Sequence, residues 1–250
     1  MSEYSIGVDE AGRGPVIGPL IVCATSIPSN DYHILREIGA KDSKTLSKGK
    51  REKIYKIINE EAIERNWNIG IVECTPFRID HNSSVSNLNE LEATLFSEAI
   101  KNSNVNGESG NIFLDACDVN QERFGNNVKS KLGPSWGDWR IISEHSMDSS
   151  NSLVAASSIV AKVTRDNAMK KLSDEIGIDL GSGYPSDPKT RHSINELISG
   201  KYPHDCLRWT WSTVRKAWKE TYGASVPIRY QNKGVYSQTN FQHWIEDNHK

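Results

Sequence analysis

Three aspartates follow stretches of the chain that have the pattern of strands. Asp9 ends an alternating stretch over residues 4–9, Asp115 ends a short apolar stretch over residues 112–115, and Asp148 follows a third such stretch and precedes a helical pattern. Because ligand sites of open α/β sheets lie beyond the carboxyl ends of strands, we expect these side chains to meet. Carboxylates at one point repel each other unless cations lie between them, and oxygen ligands suit Mg²⁺ or Mn²⁺. Two such ions between shared carboxylates suit in-line phosphoryl transfer.

Each carboxylate also has an ordinary structural interpretation. Asp148 alone is typical of a helix N-cap, and Asp115 alone is typical of a turn that ends a strand. Glu10 directly follows Asp9, and neighbours in a regular strand point to opposite faces. If the strand continued, Glu10 would therefore share the apolar face. Either the strand breaks at residues 11–12 or Glu10 lies at the rim of the site.

A loop with two glycines follows at once, with the sequence Gly12-Arg13-Gly14-Pro15. It is not a dinucleotide-binding fingerprint, because Ile17 stands where that pattern needs its third glycine, and it lacks the Gly-Lys-Ser/Thr of a P-loop. Two glycines around an arginine let the backbone approach a bulky polar group closely. The alternative is a tight turn between two strands.

Strand and helix patterns alternate along most of the chain and would position these residues. Strands are predicted over residues 4–9, 16–27, 67–74, 112–115 and 140–143, and helices over residues 47–65, 87–102 and 151–176. After residue 176 only helices are predicted, one beginning at Asp187-Pro188 and one over residues 212–222. The pattern predicts a mixed α/β layer with a smaller helical portion at the end.

The composition is that of a folded protein with a near-neutral charge. The 250 residues include 30 basic and 32 acidic ones, so no global basic field indicates a nucleic-acid partner. The mean hydropathy of −0.57 and the lack of a long apolar run argue against a membrane span. We see no signal peptide and expect a cytoplasmic protein. The four cysteines form no Cys-x-x-Cys pair, which favours ordinary reduced thiols over a zinc site.

Basic residues nevertheless gather locally. Seven of them oppose two acidic residues between positions 41 and 56, a second group lies over residues 162–171, and a third lies over residues 208–219 beside three tryptophans. Basic residues that neutralise phosphates supply salt-dependent, sequence-independent affinity for nucleic acids. The alternative for each group is a solvated helix face, and the tryptophans are more typical of core packing than of base stacking.

Five ordered segments resemble ribonuclease HII, the type 2 ribonuclease H. The first is the run G-V-D-E-A-G-R-G-P at residues 7–15, which is similar to the signature of that family. The others are K-D-S-K-T-L at 41–46, L-D-A at 114–116, A-A-S-S-I-V-A-K-V-T-R-D at 155–166 and G-S-G-Y-P-S-D-P at 181–188. Residues 203–209 further resemble the archaeal and eukaryotic branches, and we expect an archaeal-like single chain. The likeness covers about residues 4–220.

The resemblance implies a ribonuclease H-like fold, with a central mixed sheet flanked by helices and a C-terminal helical extension. The implied division is a catalytic domain over residues 1–180, the substrate-tyrosine loop and helical extension over 181–222, and a tail over 223–250. The implied activity is hydrolysis of RNA in RNA–DNA hybrids and incision of DNA 5′ of embedded ribonucleotides, as in ribonucleotide excision repair. The products carry 3′-hydroxyl and 5′-phosphate ends.

The resemblance also implies roles for individual residues. Two divalent metal ions, Mg²⁺ or Mn²⁺, would be held by the four family carboxylates, one ion activating water and the other stabilising the leaving 3′ oxygen. The loop would read the ribose 2′-hydroxyl through its backbone, and a tyrosine would pack against the sugar. Three basic residues in matched segments would contact the substrate. The carboxylates are Asp9, Glu10, Asp115 and Asp148; the substrate-binding residues are Gly12, Arg13, Gly14, Lys44, Lys162, Arg165 and Tyr184. One departure is Ser146-Met147 before the fourth acid, where the family commonly has Lys-Ala.

Partners and competing functions remain open in the sequence. Residues 238–245 loosely resemble a sliding-clamp-binding peptide, and the alternative is a terminal amphipathic turn that docks on its own domain. We expect a monomer that binds RNA–DNA hybrids and ribonucleotide-containing DNA, not a membrane. One alternative is a two-metal nuclease that cuts DNA, such as a resolvase or transposase-like protein. The other is a hybrid-binding or clamp-associated module with an inactive site.

Overall fold

The computed structural model describes residues 4–41, 43–103 and 109–229. Its centre is a mixed sheet of five strands in the order β3-β2-β1-β4-β5. Strand β1 is antiparallel to β2 and parallel to β4, and β4 is parallel to β5. The predicted class, a mixed α/β layer flanked by helices, is confirmed. The strands are β1 (Tyr4–Ala11), β2 (Leu20–Pro28), β3 (Asn68–Cys74), β4 (Gly110–Asp115) and β5 (Trp139–Glu144).

Helices connect the strands and make up most of the rest of the described chain. The side chains of Ser47, Asn87 and Asp187 cap three of the helices by accepting backbone N–H groups of the first turn. Two 3₁₀ turns matter for the site, Ser43–Thr45 and Met147–Ser149. The α-helices are α1 (Tyr32–Glu37), α2 (Lys48–Arg65), α3 (Pro76–Ser83), α4 (Leu88–Asn102), α5 (Gln121–Leu132), α6 (Ser152–Ile176), α7 (Pro188–Leu197) and α8 (Ser212–Tyr222).

Two of the differences between the predicted and observed strand boundaries bear on the site. Strand β2 begins at Leu20 instead of residue 16, because the backbone of Val16 binds elsewhere: its N–H donates to Gly183 O at 2.8 Å and its carbonyl accepts from Arg208 N at 2.9 Å. Strand β1 continues past Asp9 to Ala11. Glu10 is therefore part of a regular strand and is half-buried near its end, which agrees with the rim alternative.

The chain forms two compact units whose boundaries differ from the expected division at residue 180. Among the described residues, the first unit contains 4–11, Ile21–Glu73 and Asn87–Thr164. The second contains Gly12–Leu20, Cys74–Ser86 and the described residues over 165–229. Each has its own buried apolar cluster, the first including Ile21, Ile27, Leu153 and Ile159, the second including Val16, Ile17, Met169, Leu197 and Leu207.

Helix α6 packs directly on the backbone of β1 within the first unit. A side chain at Gly7 would lie 2.6–2.7 Å from backbone atoms of Leu153 and Val154, so only glycine allows this approach. The hydroxyl of Ser157 then donates to Gly7 O at 2.8 Å and accepts from Thr25 N at 3.1 Å. These contacts fix the register of α6 against β1 and β2.

The described cysteines are all free thiols, buried at Cys23, Cys74 and Cys206 and half-buried at Cys117. None of the helices in the described ranges combines the length and apolar character that crossing a membrane requires.

Candidate active site

Three of the four predicted carboxylates come together in the first unit. One carboxylate oxygen from each of Asp9, Asp115 and Asp148 lies within 4.8 Å of the others. Asp9 lies near the end of β1 and Asp115 ends the neighbouring parallel strand β4, and the register pairs Val8 with Leu114. Asp148 lies in the 3₁₀ turn after β5. Asp9 and Asp148 are buried and Asp115 is half-buried.

The backbone fixes this arrangement at two points. The N–H of Met147 donates to Asp115 Oδ1 at 2.9 Å, which ties the turn that carries Asp148 to the end of β4. The N–H of Glu10 donates to Asp9 Oδ1 at 2.7 Å. The alternative for Asp148, a helix N-cap, does not apply, because Asp148 lies four residues before α6 begins at Ser152.

The electrostatics of Asp9 test whether a cation fits here. Burial raises the pKa of Asp9 well above its ordinary value, and the negative charges of Glu10 and Asp115 raise it further, while hydrogen bonds from Ser158 and the Glu10 backbone lower it. Without a cation the site thus holds buried, mutually repelling carboxylates. A divalent cation removes that repulsion, and oxygen-only donors are those that Mg²⁺ and Mn²⁺ prefer. The residues present therefore fit such an ion.

Glu10 belongs to a second group of potential ligands, with Glu92 and Cys117. The alternation of side chains along β1 sends Glu10 away from the face of Asp9. Glu92 on α4 is fully buried. The sequence analysis did not identify Glu92 or Cys117 as potential ligands. The alternation of side chains along the strand did indicate that Glu10 does not share the face of Asp9.

The glycine loop is held in the second unit by a buried arginine. Arg208 is fully buried, and its guanidinium donates to Gly12 O at 2.6 Å, Arg13 O at 2.8 Å and Gly18 O at 3.1 Å. Gly12 has a φ of +98°, a conformation that favours glycine. Sequence reasoning placed Arg208 only in a basic group; the cue that it belongs to the loop was its place in the matched segment 203–209.

Arg165 holds the other side of the same loop. It is 1% exposed and donates to Ile17 O at 3.4 Å, Pro19 O at 3.3 Å and Ser182 O at 3.1 Å. The sequence predicted that Arg165 contacts the substrate directly. Because its guanidinium is buried among carbonyl groups, the structure instead gives it a role in supporting the loop.

Tyr184 lies beside the loop and remains accessible. Its ring is 38% exposed, and Arg165 lies over it with the guanidinium carbon 5.6 Å from the ring centre. A Cβ on Gly14, which is exposed, would lie 3.4 Å from the edge of the ring. The predicted substrate-binding residues of the second unit, Gly12, Arg13, Gly14 and Tyr184, are thus brought together.

The two remaining basic candidates belong to the first unit. Lys162 is half-buried on α6. Lys44 lies in the 3₁₀ turn Ser43–Thr45.

Comparisons with known proteins agree on one family. The family model described as Ribonuclease HII matches residues 6–214. A ribonuclease HII of Methanococcus maripaludis strain C6 is 38% identical over 225 residues, which cover 88% of this chain and 91% of the relative.

Two solved structures share the fold. The ribonuclease H2 from Pyrococcus horikoshii OT3 has a TM-score of 0.75 and 38% identity, covering 87% of this chain and 98% of that one. The PCNA:RNase HII complex from Archaeoglobus fulgidus has a TM-score of 0.72 and 35% identity, covering 84% and 95%. The predicted ribonuclease H-like fold is confirmed. The chain therefore belongs to the ribonuclease HII family, hydrolases that act as endonucleases on RNA in hybrids with DNA.

Proposed function

We propose that this protein, besides cleaving RNA in RNA–DNA hybrids, incises DNA on the 5′ side of embedded ribonucleotides and leaves 3′-hydroxyl and 5′-phosphate ends. The observation that supports it most directly is the convergence of Asp9, Asp115 and Asp148 within 4.8 Å. Three carboxylates on three separate elements have no structural need to meet, and bringing them together in a largely buried site costs stability unless they bind a cation.

The proposed cofactor is a pair of divalent metal ions, Mg²⁺ or Mn²⁺. Asp9, Asp115 and Asp148 would hold them, with Glu10 from the rim. When bound, such ions supply Lewis-acid stabilisation of the reacting phosphate and an activated water. The protein's own part is to fix the carboxylates: the Glu10 N–H holds Asp9 and the Met147 N–H holds Asp115.

Recognition of ribose is proposed for the backbone of residues 12–14. The guanidinium of Arg208 can only donate, and it fixes the carbonyl oxygens of Gly12 and Arg13 by donating to both. In a trans peptide the following N–H points the opposite way from the carbonyl, so the N–H groups of Arg13 and Gly14 face away from Arg208. Such groups suit a 2′-hydroxyl, which is both donor and acceptor and distinguishes RNA from DNA.

Tyr184 is the proposed contact to the sugar itself. Its ring is partly exposed beside Gly14, and Arg165 lies over it. A ring held in this way offers a flat apolar surface to a ribose and a phenolic group to its 2′-hydroxyl. Lys162 and Lys44 are proposed to neutralise phosphates of the duplex.

Cleavage of defined duplexes tests the proposed function. The substrates are a DNA duplex with one ribonucleotide, an RNA–DNA hybrid and an all-DNA duplex, each with and without Mg²⁺ or Mn²⁺. We expect metal-dependent cleavage of the first two only, with a cut 5′ of the ribonucleotide. Cleavage of all-DNA duplex would favour the resolvase-like alternative. Binding without any cleavage in either metal would favour the inactive module.

A sliding clamp is the proposed partner of the tail. The Archaeoglobus fulgidus relative was solved as a PCNA:RNase HII complex. The clamp-like peptide over residues 238–245 lies outside the described residues. We expect the full chain, but not a chain that ends at residue 237, to be retained by an immobilised archaeal clamp. Both proteins should cleave the single-ribonucleotide duplex equally in the absence of the clamp, and both should elute as monomers in gel filtration.

A further inference from the structure

Within the first unit, a series of hydrogen bonds through three side chains connects a site carboxylate to a turn that is distant in the sequence. The hydroxyl of Ser158, on α6, hydrogen-bonds to the carboxylate of Asp9. The same hydroxyl lies 2.9 Å from that of Ser43, at the start of the 3₁₀ turn Ser43–Thr45. All three side chains are buried, with exposures of 4% for Asp9 and 5% for each serine.

The direction of these hydrogen bonds follows from the chemistry of the groups. A carboxylate that binds a metal ion is ionised and can only accept, so Ser158 must donate its single proton to Asp9. Its lone pairs are then left to accept, and Ser43 donates to them. Each serine has one proton, so the order Ser43 to Ser158 to Asp9 is the one that uses every donor.

Both ends of this series are anchored. Helix α6 is fixed against β1 by the close approach at Gly7, so the position of Ser158 is set by the backbone. The turn that carries Ser43 is fixed to α2, because Arg51 Nη1 donates to Ser43 O at 3.2 Å and to Leu46 O at 2.6 Å. A hydroxyl held between two anchored elements restricts the rotation of Asp9.

We propose that Ser158 and Ser43 are positioning residues, which hold the Asp9 carboxylate in the orientation that binds the divalent metal ion and connect it to the turn that contains Lys44. This inference rests on the proposed function, because it assigns the supporting shell of the same site. Residues that orient a ligand through hydrogen bonds typically change metal affinity by 10–100-fold when they are removed.

Ser157 provides a matched control, since it neighbours Ser158 on the same helix and is also buried. Its hydroxyl donates to Gly7 O at 2.8 Å and lies within hydrogen-bond distance, 2.9 Å, of the hydroxyl of Thr25. These partners belong to β1 and β2 and are not site carboxylates. Replacing Ser157 by alanine therefore removes buried hydrogen bonds of similar quality without touching Asp9.

The experiment measures Mn²⁺ binding to the substrate-free protein by calorimetry and the melting temperature with and without Mn²⁺. We expect Ser158→Ala to weaken Mn²⁺ binding about tenfold or more, with Ser158→Thr restoring most of it because the hydroxyl is retained. Ser157→Ala should lower the melting temperature of the metal-free protein and leave Mn²⁺ affinity within about twofold.

A double-mutant cycle tests the connection to the turn. Ser43→Ala should weaken Mn²⁺ binding in the wild-type background. It should have little further effect in Ser158→Ala, because the hydrogen bonds between Ser43 and Asp9 are then already interrupted. Wild-type affinity in both Ser158→Ala and Ser43→Ala, or an equal loss in Ser157→Ala, would overturn the inference. A wild-type protein that binds Mn²⁺ but cleaves nothing would instead overturn the proposed function.

Discussion

Arg165 occupies the space that any side chain on Gly12 would need. A Cβ built at Gly12 would overlap Nε and Cδ of Arg165 and would lie 2.8 Å from Pro19 O. The φ of +98° at Gly12 is itself unfavourable for other residues. The loop and the arginine that supports it thus require glycine for two separate reasons.

Gly12→Ala should therefore lower both stability and cleavage. Gly39→Ala is a matched control, because Gly39 has a φ of +78° but no atom within 4 Å of an added Cβ. We expect Gly39→Ala to cost about 1–2 kcal/mol and to cleave normally. Gly12→Ala should cost clearly more and reduce cleavage at a single ribonucleotide at least about tenfold, measured by denaturant unfolding and steady-state kinetics. Equal effects of the two substitutions would contradict this account of the loop.

The burial of Arg165 also predicts how binding depends on salt. A residue that neutralises a phosphate changes the slope of log K against log salt by about 1 when it is removed. Lys162→Ala should show that change for an RNA–DNA hybrid. Arg165→Gln should reduce cleavage without changing the slope, because Arg165 binds carbonyl groups of the protein. A slope reduced by about 1 in Arg165→Gln would instead support the direct substrate contact that the sequence predicts.

Tyr184→Phe tests the contribution of the Tyr184 hydroxyl, because it removes the hydroxyl and keeps the ring. We expect cleavage at an embedded ribonucleotide to fall about three- to tenfold, the effect of one lost hydrogen bond, while binding to an all-DNA duplex stays unchanged. Tyr222→Phe is the control, because the Tyr222 hydroxyl donates to Ile198 O at 2.9 Å on the scaffold. Tyr222→Phe should cleave normally. Equal losses in the two variants would point to stability instead of substrate contact.

Asp9→Asn should abolish cleavage and yet stabilise the metal-free protein. The pKa of Asp9 is raised by burial and by the charges of Glu10 and Asp115, so the fold disfavours the ionised form at neutral pH. Asparagine keeps the shape without the charge. In EDTA at pH 7 the variant should melt at least about 2 °C above wild type, and Mn²⁺ should no longer raise its melting temperature. The exposed Asp138 offers a control, and Asp138→Asn should change neither property. A lower melting temperature for Asp9→Asn would contradict the repulsion at this site.

The sequence was most informative where one periodicity governs one element. The positions of Asp9 and Asp115 at the carboxyl ends of two predicted strands indicate that their side chains meet, and a carboxylate oxygen of each lies within 4.8 Å of the other. The alternation of side chains along β1 also predicts that Glu10 points to the opposite face from Asp9. Helix α2 was predicted from its cap at Ser47, whose hydroxyl accepts from Lys50 N at 3.4 Å. These features depend on contacts between residues that are close along the chain or on strand alternation alone.

Long-range polar contacts were the part that the sequence could not show. The apolar run that begins at Val16 has strand character, but its backbone partners are more than 160 residues away, at Gly183 and Arg208. Arg165 is predicted to contact the substrate because it is a basic residue in a segment that matches the family, whereas its carbonyl partners in the fold are not visible in the sequence. Helix α5 was missed because Gly125 and adjacent asparagines disfavour a helix; packing of its buried Phe124 and Val128 outweighs that propensity.

His204 should make the stability of the fold depend on pH below neutrality. Burial, and then the charge of Arg229, lower its pKa from 6.5 to about 4, and its Nδ1 accepts from Cys206 N at 3.1 Å, which requires that nitrogen to be unprotonated. The unfolded state therefore binds the proton more tightly than the folded state. This contribution to stability is fully present above pH 6.5 and is lost as the pH falls towards 4, by up to about 3 kcal/mol.

Denaturant unfolding at pH values from 7.5 to 4.5, in EDTA, checks the dependence on His204. The variant is His204→Asn, whose side-chain oxygen can still accept from Cys206 N but does not titrate in this range. The difference in unfolding free energy between wild type and variant isolates His204 from carboxyl groups such as Asp9, whose raised pKa acts in the opposite direction. We expect wild type to lose more stability than the variant between pH 6.5 and 4.5. His192→Asn serves as the control, since His192 is exposed. Parallel curves for wild type and His204→Asn would show that His204 titrates alike in the folded and unfolded states.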